Sequence, residues 1–98
     1  MAIGSYRDRG TRDIAAGVNS KMARRRLPVV LHESARKRMA YLAAAGSLED
    51  LSAWPGLNLH ALKEDRSGQH AIRINDQYRI CFVWTGRAAE QVGIVDYH

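Results

Sequence analysis

Ile72-Arg73-Ile74-Asn75-Asp76-Gln77-Tyr78-Arg79-Ile80-Cys81-Phe82-Val83-Trp84 alternates its side chains on either side of a polar break. Ile72 and Ile74 flank Arg73, and Tyr78, Ile80, Phe82 and Trp84 are interleaved with Arg79 and Cys81. A period of two belongs to β-strands, whose successive side chains point to opposite faces of a sheet. Asn75-Asp76 supplies turn residues, so the stretch reads as two antiparallel strands joined by a tight hairpin. If the large apolar set faces a core, Arg73, Arg79 and Cys81 look out from the other face.

Working outward, Thr85-Gly86-Arg87 marks a second turn and Gln91–Val95 a final strand. Upstream, Leu57, Leu59 and Ala61 alternate with Asn58 and His60, giving a further strand after the Trp54-Pro55-Gly56 break. Before that break the period changes. Leu31, Ala35, Met39 and Leu42 recur at helical spacing, which predicts a principal helix from Pro28 to Ala45, with Gly46 suited to end it. Ser47 and Asp50 frame a short turn of helix, Ser47–Ser52. At the start of the chain, Ala2–Tyr6 reads as a short strand, Thr11–Ala16 as a short helix, and Asn19–Arg26 as a basic helical turn or exposed connector. Helices followed by an antiparallel meander predict an α+β class, with N-terminal helices packed on one face of a C-terminal antiparallel sheet. Residues 1–98 form a single domain in this reading, being too few for two cores.

With 46% apolar and 26% charged residues, the chain has the balance of a folded globular protein, not a disordered one. It has no apolar run long enough for a membrane span and no signal-peptide pattern in MAIGSYRDRG, so a cytoplasmic location without membrane contact is expected. Cys81 is the one cysteine, which excludes an intrachain disulfide and a cysteine-based zinc site; it reads as a small apolar strand residue. No phosphate-cradling glycine loop, nucleophile elbow or His-x-x-x-His motif is present, so neither metal nor cofactor is expected. Residues 1–46 hold ten Lys and Arg against three Asp and Glu, whereas residues 47–98 hold five against seven. The basic half would attract a polyanion, either nucleic acid, an anionic membrane or an acidic protein, or it is a solvated surface.

The outward sheet face is where chemistry would lie. His60 can join Arg73 and Arg79 there, Lys63 and Arg66 follow in the loop 62–68, and the sequence ends Asp96-Tyr97-His98. Two histidines, several cations and an aromatic ring suit cleavage of RNA by its own 2′-hydroxyl. That reaction needs a base for the hydroxyl, cations for the charged phosphorane and an acid for the departing 5′-oxygen. Tyr97 suits stacking on a splayed base. Plainer readings stand beside this one. Arg73 and Arg79 could pair with Asp76, Glu90 or Asp96, His60 could be an ordinary strand residue, His98 a frayed end, and His32 and His70 surface histidines.

The segments Ser47-Leu48-Glu49-Asp50-Leu51, Pro55-Gly56, Leu62-Lys63-Glu64-Asp65-Arg66-Ser67-Gly68-Gln69, Ile72 to Phe82, and Ile94-Val95-Asp96-Tyr97-His98, with Ser5-Tyr6-Arg7-Asp8 near the start, resemble the HigB-like toxins of the RelE/ParE superfamily. The resemblance implies a RelE-like, microbial-ribonuclease-type fold and the toxin of a type II toxin–antitoxin system. It further implies an endoribonuclease that cuts mRNA in the A site of the 70S ribosome, halting translation and growth. By position, His60 and His98 resemble the family's catalytic histidines, Asp96 and Tyr97 its other C-terminal site residues, and Lys63 and Arg79 its phosphate-contacting cations. Arg66 and Arg73 are added as RNA contacts. As the last residue given, His98 would carry an α-carboxylate that favours its protonated imidazole.

The implied partner is a helix-turn-helix, HigA-like antitoxin, with operator DNA reached only through the antitoxin complex. The basic segments Arg24, Arg25, Arg26 and Arg36-Lys37-Arg38 are the expected antitoxin surface. Two other readings compete. One is a ParE-like toxin that poisons gyrase without nuclease activity; the other is a catalytically degenerate antitoxin-binding or RNA-binding module.

Overall fold

In the computed structural model, residues 1–63 and 68–97 are described. The elements run β1 (Ala2–Ile3), α1 (Arg9–Ala15), α2 (Lys21–Arg26), a 3₁₀ turn (Val29–Leu31), α3 (His32–Ala44), α4 (Leu48–Ser52), β2 (His60–Ala61), β3 (Gln69–Arg73), β4 (Tyr78–Trp84) and β5 (Ala88–Asp96). The strands form one five-stranded sheet in the order β1-β5-β4-β3-β2. All neighbours are antiparallel except β1, which pairs parallel to β5. This is the α+β arrangement expected from the sequence, with the helices preceding the meander.

Local sequence accounts for the helix starts. Asp8, Ser20 and Ser47 each sit in extended conformation and accept from the backbone N–H three residues on, which satisfies donors a first turn leaves unpaired. The stretch Asn19–Arg26, either helical turn or connector by sequence, is resolved by Ser20 into a capped helix. The principal helix is shorter than its apolar period suggests: Pro28 is extended and a 3₁₀ turn intervenes, so the α-helical ladder begins at His32.

The Leu57–Ala61 strand is the largest difference. Asn58 has φ 48°, in the left-handed region, and the strand proper is confined to His60 and Ala61, with single backbone bonds from Arg73 N–H to the Leu57 carbonyl at 2.7 Å and from Leu62 N–H to the Gln69 carbonyl at 2.9 Å on either side. Leu57 and Leu59 still turn toward the core, since Leu57 is buried and Leu59 packs against the central cluster. At the chain start β1 is likewise shorter than Ala2–Tyr6, and Tyr6 rejoins the sheet through an isolated parallel bridge to Val92.

The core lies between helices and sheet. Ile72, Ile80 and Ile94 are cross-strand partners, and with Ile74, Phe82 and Val92 they meet Ile14, Leu27, Ala35, Met39, Leu42 and Leu51 from the helical layer. Burial of such side chains contributes about 1.5–3 kcal/mol each. Among the described residues, no helix is long and apolar enough to cross a membrane.

Candidate functional site

The side of the sheet away from the helices is built by register. His60 pairs with Ala71, Ala71 with Cys81 and Cys81 with Gly93, so these four lie in one row across that face. Ala71, Cys81 and Gly93 are small and buried, which makes a low floor. The next row is Arg73, Arg79 and Val95. Cys81 therefore faces outward as alternation predicts, yet it is fully covered.

Tyr97 continues beyond β5, its N–H donating to the Gln77 carbonyl at 2.7 Å, and alternation returns its ring to the same face as Val95. There the Arg79 guanidinium carbon lies 5.2 Å from the ring centroid of Tyr97. The His60 ring meets Tyr97 edge-on, with centroids 6.1 Å apart at 72°. Arg79 is fixed from below, donating to the carbonyls of Asn75 and Tyr78. The Nδ1 of His60 lies 3.1 Å from the Asn58 carbonyl, and the residue is exposed. Three residues far apart in sequence thus form one cluster of cation, aromatic ring and imidazole, open to solvent on one side.

The other residues singled out by the sequence are placed as follows. Arg73 is ion-paired with Asp76 and its carbonyl accepts from Arg38 Nε at 2.8 Å, so part of its charge is already met. Lys63 is exposed, just past β2. Asp96 precedes Tyr97 but belongs by register to the Tyr78 row, on the helix side, where Gln77 Nε2 donates to its carboxylate at 3.0 Å. Arg66 and His98 lie outside the described residues.

The structure adds Arg7 to this face. Its backbone N–H donates to the Val92 carbonyl at 2.9 Å, next to the Tyr6 bridge, and its side chain runs over Gly93 to donate to Gln69 Oε1 at 3.3 Å. Nothing in the strand alternation of residues 57–97 could place a residue from position 7 here; the parallel bridge does so.

His70 differs from its expected surface position. It lies on the helix side of β3, its ring stacked on Phe82 with centroids 5.9 Å apart. Burial, followed by the nearby charge of His60, holds its pKa below the usual histidine value. His32 is half-buried, with Nε2 2.8 Å from the Leu27 carbonyl.

A second surface lies on the helical layer. Val18, Met22, Val29 and Val30 are exposed apolar residues, with Val30 84% exposed. Nearby, Ile14, Gly17, Val18, Val29, His32 and Arg36 line a groove of about 220 Å³. Of the basic residues expected on this layer, Arg26 is paired to Asp8 and Arg38 is held by Ser34 and the Arg73 carbonyl, so both serve the fold. Arg24 is exposed and donates to the Asn19 carbonyl at 2.8 Å; Arg25 and Arg36 are exposed.

Comparison with protein families matches residues 14–98 to the model described as the RelE-like toxin of the type II toxin–antitoxin system HigB. Comparison with curated proteins gives no match.

Proposed function

The chain belongs to the HigB-like family of RelE-like toxins of type II toxin–antitoxin systems, and on that premise we propose that it is an endoribonuclease acting on ribosome-bound mRNA. The observation that carries the reading is the Arg79–Tyr97–His60 cluster on the open sheet face. A guanidinium held against an aromatic ring offers a phosphate site beside a base-stacking surface, with an imidazole in reach for proton transfer.

In this reaction a base takes the proton of the ribose 2′-hydroxyl and the 2′-oxygen attacks the adjacent phosphorus. The P–O5′ bond then breaks, and an acid protonates the 5′-oxygen, leaving a 2′,3′-cyclic phosphate and a 5′-hydroxyl. Arg79 and Lys63 stabilise the phosphorane charge, Tyr97 stacks on a flanking base, and His60 and His98 move the protons, as the family resemblance implies. Asp96, whose side chain takes the helix side of the strand end, enters only as a site residue that the resemblance implies, with Arg73 and Arg66 as outlying RNA contacts. The partner is the cognate antitoxin, with the ribosome and its mRNA as target.

The test is to map transcript 5′ ends on programmed ribosomes for wild type and Arg79→Ala. Loss of one such cation should lower the cleavage rate by about 10²–10³-fold, with an unchanged far-UV circular dichroism spectrum. Equal cleavage by the variant, or growth arrest with intact transcripts and damaged DNA, overturns the reading.

A further inference from the structure

Arg7 reaches the sheet face by a route built for it. Residues 5–7 run beside β5: Val92 N–H donates to the Ser5 carbonyl at 3.1 Å and Arg7 N–H to the Val92 carbonyl at 2.9 Å. From there its stem crosses β5 directly over Gly93. A Cβ at position 93 would stand 3.1 Å from the Cβ of Arg7 and 3.3 Å from its Cδ, tighter than ordinary contact, so glycine leaves the space the stem occupies. The guanidinium ends toward β3, where its partner among the described residues is the uncharged Gln69.

Gly93 precedes Val95 by two residues on the same face, and Val95 is in the row of Arg79. The guanidinium itself ends at Gln69, which pairs with Val83, four strand residues or about 13 Å from Arg79. Arg7 thus presents a second charge on the face of Arg79, two rows along, where a single strand of RNA crossing that face would meet it. Glu90, an acidic residue of β5, is turned to Ser5 Oγ at 2.7 Å. The family match begins at residue 14 and assigns nothing to Arg7.

We propose that Arg7 is a further RNA-contacting residue, its guanidinium binding a phosphate of the same strand beyond the one held by Arg79. This rests on the ribonuclease reading of the face. Arg7 adds affinity and register on the strand; it takes no part in proton transfer.

The experiment measures binding of a 2′-O-methylated single-stranded RNA oligonucleotide, which cannot be cleaved through its 2′-oxygen, across a salt series. Wild type, Arg7→Ala, Arg7→Lys and Arg79→Ala are compared. Because the Arg7 side chain is exposed and its strand contacts are backbone bonds, alanine should leave the fold intact, as circular dichroism checks. Arg7→Ala should bind severalfold more weakly, with the slope of log affinity against log salt shallower by about 0.7, the value for one phosphate contact on a single strand. Arg7→Lys should keep the wild-type slope. An unchanged slope and affinity in Arg7→Ala, while Arg79→Ala is impaired, overturns this proposal alone. No binding by wild type overturns Arg7 as an RNA contact, while cleavage on programmed ribosomes decides the ribonuclease reading separately.

Discussion

His70 shows what a single partly buried imidazole does to this fold. Its ring stacks on Phe82 inside the sheet–helix layer, and Nδ1 is buried with no hydrogen-bond partner among the described residues. Burial penalises the charged form, and the neighbouring His60 adds to the effect, so the folded-state pKa lies below the unfolded one. The unfolded chain therefore binds the proton more readily. Stability is complete above the ordinary histidine pKa of about 6.5, declines as pH falls through it, and levels off below the depressed folded value. Urea titrations from pH 8 to pH 5 should show this decline in wild type and a smaller one in His70→Phe; identical pH profiles would count against it. The placement is legible in the sequence. The alternation that turns Ile72 and Ile74 inward turns His70 inward as well, although its polarity by itself points to the surface. Tyr97 and Arg79 are legible by the same parity, whereas the contact of Tyr97 with His60 depends on the β2–β3 register, which no local pattern specifies.

Between elements, the joint that carries most consequence is α1 against β5. Thr11 is fully buried in α1; its hydroxyl donates to Asp8 Oδ2 at 3.1 Å and accepts from the Ile94 N–H at 3.1 Å. Asp8 also caps α1 through the Thr11 N–H at 2.7 Å and pairs with Arg26 of α2. One threonine thus links a cap, two helices and a central strand. Thr11→Val keeps the shape but leaves the Ile94 N–H unpaired in the core, which costs about 1–3 kcal/mol. Chemical denaturation checks this, and a Thr11→Val midpoint equal to wild type would show that the bond contributes nothing. A sequence reading assigns Thr11 to a short helix and stops there, since the partner is 83 positions away. Strand and helix types are recoverable from periodicity. Their lengths are not, because Asn58 and Pro28 adopt backbone conformations that end pairing and delay the helix while the apolar period runs on.

Taken as one body, the protein separates two surfaces by the thickness of its sheet. The sequence locates the positive excess in the N-terminal half, and the fold shows that this charge is not the charge of the cluster face. Arg24, Arg25 and Arg36 belong to the helical layer, while Arg7 leaves that half for the opposite side. On the helical layer, exposed Val18 and Val29 line a groove that Arg36 and Glu33 also line, and Val30 is exposed beside Val29 in sequence; apolar side chains with arginines on the same layer suit an amphipathic segment that carries acidic residues. A type II toxin requires an antitoxin, so we assign that occupant to the cognate antitoxin. Charge reversal at Arg25 and Arg36, chosen because Arg26 and Arg38 hold the fold together, should weaken the complex by about tenfold or more in calorimetry. Val30→Asp, which places a charge beside these apolar side chains, should do the same. Neither change touches the Arg79–Tyr97–His60 side, so cleavage by the isolated toxin should persist. Intact antitoxin affinity in both variants would move the contact off the helices. Lost cleavage with a native circular dichroism spectrum would mean that the two surfaces are coupled through the sheet that divides them.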